Sequence, residues 1–260
     1  MDVPNEYGLD VSCNLGALDI HKATQSVNFE ELVDTSMQLL TNVSEMTYIK
    51  NVPSVAKANE LMHSVGLGVM NLHGHLVQMN LLYGSEESIE FIDYFMEALN
   101  FYSLKASMEI AKKKNKTFYG FEQSEYANGN YFDQYVNKAD VEPSEKVKKA
   151  LGNVPIITSN MWQELKAQVQ EHGVYNAYRL AVAPTGSISY IRSCTASMAP
   201  ITEKVEIRDY ADSRTIYPMP YMTNENKHLY VEAYDIEPYK LIDTRFSLFD
   251  VNEGFAMYEA

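Results

Sequence analysis

Apolar residues recur at three- and four-residue spacing through the middle of the chain and gather into short runs towards its ends, a pattern of helices flanked by strands. Phe29, Leu32, Val33, Leu40 and Val43 form one stripe and predict a helix over 29–46. The most regular run is 86–114, where Ile89, Ile92, Met96, Leu99, Ser103, Ala106 and Ile110 mark a single buried face. Ser85 is placed to cap that helix, Glu86 and Glu87 suit the positive end of its dipole, and Lys112, Lys113 and Lys114 suit the other end. A third helix is predicted from Thr158 through Trp162, Leu165 and Val169 to Glu171. Residues 52–79 also read as helical, with Pro53 near the start and Gly66 and Gly68 inside. Each interior glycine costs about 1 kcal/mol relative to alanine, so close packing against a neighbour or a ligand is expected there.

Strand signals lie outside this helical middle. Residues 11–20 alternate loosely and predict a strand running into a loop, and 178–182 read as a short buried strand. Residues 118–135 are aromatic and turn-rich, with Asn128-Gly129 as a turn signal, and 143–155 read as a surface connection. No repeat and no Gly-, Ser- or Pro-rich linker divides the chain. The pattern is that of a mixed α/β protein.

The strand at 178–182 leads into Ala183-Pro184-Thr185-Gly186-Ser187-Ile188-Ser189 and a potential helix start. Glycine lets a ligand approach the backbone, and the hydroxyls of Thr185, Ser187 and Ser189 can donate to phosphate oxygens. Free amides at a helix start favour an anion without help from Lys or Arg. The plainer reading is an ordinary capped turn.

Composition narrows the function. The 260 residues carry a net charge of −14, which argues against nonspecific nucleic-acid binding. No apolar run is long enough to span a bilayer, and the acidic, polar start does not read as a signal peptide. Two cysteines make no disulfide framework, so the expected compartment is a reducing cytoplasm. Cys194, in Arg192-Ser193-Cys194-Thr195, reads as a small buried residue, and a Cys13–Cys194 disulfide is not expected. His73 and His75 are two apart and would point to different faces of a helix; with no Cys/His zinc spacing, no metal site is expected. The many tyrosines read as core and surface aromatics.

Several segments together, in order, carry a resemblance. They are residues 9–18 around Ser12-Cys13-Asn14-Leu15-Gly16, residues 64–74 around Gly66-Leu67-Gly68 and Asn71-Leu72-His73-Gly74, and residues 118–129. The Pro184-Thr185-Gly186-Ser187-Ile188-Ser189 loop, Tyr217-Pro218-Met219-Pro220 and Ile242-Asp243-Thr244 complete the set. Over about 7–244 the chain resembles the large subunit of ribonucleotide reductase, in its class Ib ribonucleoside-diphosphate form. The resemblance implies a portion of a ten-stranded α/β barrel over 1–244, followed by a divergent tail over 245–260.

It also implies roles. Cys13 would be one of the two thiols that reduce the ribose of a ribonucleoside diphosphate and end as a disulfide, re-reduced by a thioredoxin- or glutaredoxin-like donor. Pro184, Thr185, Gly186, Ser187, Ile188 and Ser189 would bind the substrate diphosphate. The thiol and the loop would converge on opposite ends of one bound sugar nucleotide. No cofactor is expected on this chain: the radical would come from a separate, metal-containing small subunit, and the allosteric nucleotide site would lie outside it.

The family's thiyl-radical cysteine, in an Asn-x-Cys-x-Glu segment upstream of Cys13, and its adjacent tyrosine pair near the C-terminus are not found here. The expectation is a segment of a large subunit that works only with complementary segments, arising from a split gene, intron read-through or a truncated copy. The alternatives are an inactive remnant and a non-catalytic nucleotide-binding module.

Overall fold

The computed structural model describes residues 8–10, 12–201, 205–210 and 213–218, the last two runs as backbone. Strand β1 (Leu15–Asp19) leads through α1 (Ile20–Ala23), α2 (Phe29–Met46) and α3 (Pro53–Met62) to β2 (Gly66–Met70). Then come α4 (Leu72–Gln78), α5 (Glu86–Lys114), the short α6 (Glu125–Asn128) and α7 (Asp133–Val136), α8 (Glu145–Leu151), α9 (Ser159–His172) and α10 (Gly186–Arg192). An antiparallel hairpin, β3 (Val205–Tyr210) and β4 (Ser213–Pro218), follows.

β1 and β2 pair in parallel, Leu15 opposite Gly66 and Asp19 opposite Met70. A third chain segment joins the other edge of β2, where Leu67 bridges Leu180 in parallel. The Leu67 amide donates to Arg179 O at 2.8 Å, and Ala181 N donates to Leu67 O at 3.1 Å. β2 is therefore flanked on both sides and wholly buried, as a central parallel strand must be. Two expectations change here. The 52–79 run is α3, β2 and α4, and its two glycines sit in the strand. The 178–182 segment is only partly buried, with Tyr178 66% and Val182 42% exposed.

The glycines have a steric cause. A Cβ on Gly68 would stand 2.0 Å from Ala181 O, and one on Gly66 would meet Ala181 Cβ at 2.8 Å. The third segment crosses the face of β2 too closely for side chains. Gly68→Ala is expected to cost about 1–3 kcal/mol by overpacking, read as a lower urea midpoint. Gly16→Ala, whose Cβ would meet only the flexible Leu40 side chain at 3.3 Å, should cost less than half as much. Equal losses would refute the crossing.

Helix α5 is the spine of the core. Ser85 caps it by accepting from Ser88 N, and Asn115 closes it in a left-handed conformation. Phe91, Phe95 and Leu99 on it are fully buried; Phe95 meets Phe29 of α2 at 5.7 Å and Phe91 meets His75 of α4 at 4.8 Å between ring centroids. Trp162 on α9 has no exposure; it stacks on Tyr135 at 4.0 Å, and its indole N–H donates to Glu97 Oε1 at 2.9 Å. Helix α2 has the expected bounds, yet its buried face is Phe29, Val33, Met37, Thr41 and Ser44, and Val43 is 51% exposed. The 143–155 region holds α8, whose Val147, Ala150 and Leu151 are buried, so it is more than a connection.

The 219–220 and 242–244 motif residues and the 245–260 tail lie outside the described residues. None of the described helices is long and apolar enough to cross a membrane.

Candidate active site

The loop after the third segment is built to hold an open shape. Thr185 takes a left-handed conformation at φ 45°, uncommon for a β-branched residue and held only where surrounding bonds impose it. Its Oγ1 accepts from Ser197 N at 2.7 Å, which leaves the hydroxyl proton for another acceptor. Ser189 Oγ donates to Gly186 O at 2.8 Å and is buried, so that hydroxyl shapes the loop itself. The first helical bond of α10 runs from Ser189 N to Thr185 O. The amides of Gly186, Ser187 and Ile188 precede it and stand among the unpaired donors of a helix start. Pro184, Gly186, Ser187 and Ile188 are exposed. A Cβ on Gly186 would meet nothing within 4 Å. The space in front of this loop is open to a ligand.

Residues 193–201 stitch the loop to the start of α4, an arrangement the sequence pattern did not announce. Asn71, left-handed at φ 70°, donates from Nδ2 to Asp19 Oδ1 at 2.8 Å and accepts from Thr195 N at 3.2 Å. Its own N–H donates to Thr195 O at 2.9 Å, and Thr195 Oγ1 accepts from Gly74 N at 3.2 Å. Asp19 also caps α1 and pairs with Arg192 at 3.6 Å. Tyr83 donates to Met198 O, and the Ile201 amide to His73 Nδ1. The one sequence signal for this clamp is an asparagine just ahead of a helix, a residue that tolerates the left-handed region.

Cys13 lies in the turn before β1, not on the strand, and is exposed. Ser12 Oγ donates to Asn59 Oδ1 at 2.8 Å; Asn14 Nδ2 donates to Ser12 Oγ at 3.0 Å and to Ser64 O at 3.2 Å. The thiol thus sits on an anchored turn. Gly16, Leu67 and Leu180 share one row of the sheet. Cys13 precedes that row by three residues and Ala183 follows it by three, both beyond the paired residues. Along the paired segments the thiol comes before the shared row and the loop after it.

Cys194 behaves differently. It is buried and free, and burial, reinforced by Asp19, pushes its thiol up to about 12. A thiol so poorly ionised is a weak nucleophile.

His21, His73 and His75 are spent on structure. Gln25 Nε2 can only donate, so His21 Nε2 accepts from it at 2.9 Å. The His21 Nδ1–H then donates to His75 Nδ1 at 3.1 Å, and His75 Nε2–H donates to Ala150 O at 3.1 Å. Both rings are neutral in this chain of bonds. Burial holds His75 at about 3, with His21 adding to the effect, and burial holds His73 at about 4. Among the described residues no group of three His, Cys, Asp or Glu is placed to hold a metal ion.

A parallel α/β sheet with an exposed thiol ahead of its paired residues and a clamped, hydroxyl-rich loop after them defines the class. The chain belongs to the ribonucleotide reductase barrel-domain family, which it matches over residues 3–248. It is 47% identical over 243 residues to the "Ribonucleoside-diphosphate reductase subunit alpha" of Bacillus subtilis (strain 168), covering 93% of this chain and 35% of that protein. The Mycoplasma pneumoniae protein of the same name is 39% identical over 249 residues, covering 92% of this chain and 34% of its own length. The Helicobacter pylori one is 29% identical over 235 residues, covering 90% and 29%. The chain thus spans about a third or less of the length of the relatives it matches.

Proposed function

We propose that this chain is the part of a ribonucleoside-diphosphate reductase alpha subunit that holds the substrate diphosphate and supplies one of the two reducing thiols. The loop, with Gly186, Ser187 and Ile188 exposed and their amides ahead of the first helical bond of α10, is the observation that carries this reading. Thr185 and Ser187 add hydroxyl donors, Gly186 and Pro184 leave the approach clear, and Ser189 fixes the loop's shape. A protein of net charge −14 binds a diphosphate most readily with such local neutral donors. In this reading the ribose of the bound substrate lies within reach of Cys13 in the assembled subunit. Cys13 and a second thiol from another segment give up two electrons and two protons in forming a disulfide: one proton leaves with the ribose hydroxyl as water, and the other, with the electron pair, forms the C–H bond that replaces the C–O bond.

Turnover draws on a radical from a separate metal-containing subunit, on complementary segments of the large subunit, and on a thioredoxin- or glutaredoxin-like reductant that reopens the disulfide by thiol exchange. Two free cysteines suit a reducing cytoplasm.

The test is Gly186→Ala, placed in a chimera where this chain replaces its counterpart in the Bacillus subtilis subunit. The fold has room for the methyl, but the ligand does not. KM for CDP is expected to rise about tenfold with kcat changed far less. An unchanged KM would remove the loop from substrate binding. The 260-residue chain alone is expected to show no CDP reduction in the presence of dithiol and the small subunit.

A further inference from the structure

We infer that helix α3 is a splint for the thiol-bearing turn, with Asn59 the positioning residue that aims the Cys13 thiol at its reaction partners. The inference rests on the reading of Cys13 as a reducing thiol and deepens it by naming what holds that thiol in place.

Little packing holds the turn: Leu9, Cys13 and Leu15 are exposed and Ser12 is half-buried. Hydrogen bonds to α3 and its exit take over, and they fall on alternate residues. The Asp10 amide donates to Ser54 O at 3.4 Å, and Ser54 Oγ donates back to the Asp10 carboxylate. Ser12 Oγ donates to Asn59 Oδ1 at 2.8 Å, and Asn14 Nδ2 to Ser64 O at 3.2 Å. Ser54 and Asn59 belong to α3, and Ser64 follows its left-handed cap at His63.

These ties set the direction of the thiol. Asn14 N donates to Ser12 O at 3.2 Å, which makes Cys13 the middle residue of a three-residue turn. The side chains on either side of it meet one another, Asn14 Nδ2 donating to Ser12 Oγ at 3.0 Å. Both are tied to α3 or its exit, and Cys13 between them is left exposed.

Asn59 joins the turn to a further element. Its Nδ2 can only donate and meets Thr47 O at 3.4 Å, at the end of α2, so its Oδ1 is left to accept from Ser12. The amide therefore has one orientation. It is buried yet lines a cavity of about 350 Å³, so on that side hydrogen bonds, not close packing, keep it in place.

The need for a splint is geometric. A disulfide forms only when the two Cα atoms come within about 4.4–6.8 Å with their Cβ vectors converging. In the proposed reaction the second thiol lies on another segment and the reductant arrives from outside, so Cys13 must hold its position without help from either. A misplacement of about 1 Å can cost about 100-fold in rate.

The test pairs NMR on the 260-residue chain with kinetics in the Bacillus subtilis chimera. The Cys13 amide is expected to show an order parameter of about 0.85, as rigid backbone does, and to fall below about 0.6 in Asn59→Ala and in Ser12→Ala. In the chimera both variants should lower kcat for CDP about tenfold with KM changed less than about twofold, the reverse of the split expected for Gly186→Ala. The double variant should be no worse than either alone, because each removes the same bond. Ser12→Thr, which keeps the hydroxyl, should restore the order parameter and most of kcat. If Asn59→Ala does not fold, Ser12→Ala carries the test, since it breaks the same bond and leaves α3 intact. An ordered Cys13 amide in folded Ser12→Ala, or a kcat equal to the parent's, would overturn the splint. Failure of the parent chimera to reduce CDP would instead strike the reductase reading, and the order parameters alone would then decide the splint.

Discussion

Cys13→Ser in the chimeric alpha subunit is expected to lower dithiol-driven CDP reduction by on the order of 10³-fold or more, the scale of removing a reacting group. Serine keeps the volume and the exposed position, so the turn anchored by Ser12, Asn14 and Asn59 should survive and the unfolding midpoint should not move. Serine cannot form a disulfide, so electron delivery stops at that step. Cys194→Ala is the contrast: its thiol is buried and pushed up to about 12, and turnover should change by less than about twofold. If Cys194→Ala abolished reduction and Cys13→Ser left it intact, the assignment of the redox thiol would be reversed. The readout is deoxycytidine diphosphate formed per minute at saturating CDP, beside thermal unfolding of each variant.

The second large effect is acid unfolding above the pH range where carboxylates dominate. His63 and His73 are held at about 4 and His75 at about 3, chiefly by burial, and burial lowers His21 as well. The sign follows from the unfolded chain, where a histidine ionises near its ordinary value of about 6.5. Above that pH both states are neutral and stability is full. Below it the unfolded state takes up protons that the folded state refuses, so stability falls as pH drops towards 4 and then 3. A ring lowered to about 4 loses roughly 2 kcal/mol of stability between pH 7 and pH 5. Three such rings approach the whole stability of an ordinary domain. Asp34, raised by burial, opposes the trend weakly; Glu45, held low, reinforces it at lower pH. Urea unfolding followed by Trp162 fluorescence should show a much lower midpoint at pH 5 than at pH 7, and His75→Gln should flatten the dependence. A midpoint independent of pH over that range would mean the rings accept protons in place, against the neutral Gln25–His21–His75–Ala150 chain of hydrogen bonds.

How much was legible varies by element, for reasons that can be named. Helices α2, α5 and α9 were readable because a long amphipathic stripe and a capping residue are local properties: Ser85, Asn28 and Thr158 each accept from the first turn of their own helix. The 52–79 run misled because an apolar stretch with two glycines suits a long helix as well as a helix–strand–helix unit. Only the neighbouring Ala181 shows that Gly66 and Gly68 belong to a crowded central strand. The α8 helix hid in a polar stretch because its few buried residues, Val147, Ala150 and Leu151, make too short a stripe to stand out.

At the candidate site the division is similar. Cys13 and residues 184–189 could be named from the chain, since a thiol beside Asn-Leu-Gly and a Pro-Thr-Gly-Ser-Ile-Ser loop are contiguous words. The clamp that holds the loop, from Asp19 through Asn71 to Thr195, joins residues 52 and 124 positions apart, and no periodicity marks such pairs. The residues proposed for the chemistry are therefore written in the sequence, together with the helices that carry their own caps and stripes. Tertiary structure decided how they are held: which strand lies at the centre, which thiol is exposed, and which histidines stay neutral, because each depends on burial and on partners far along the chain.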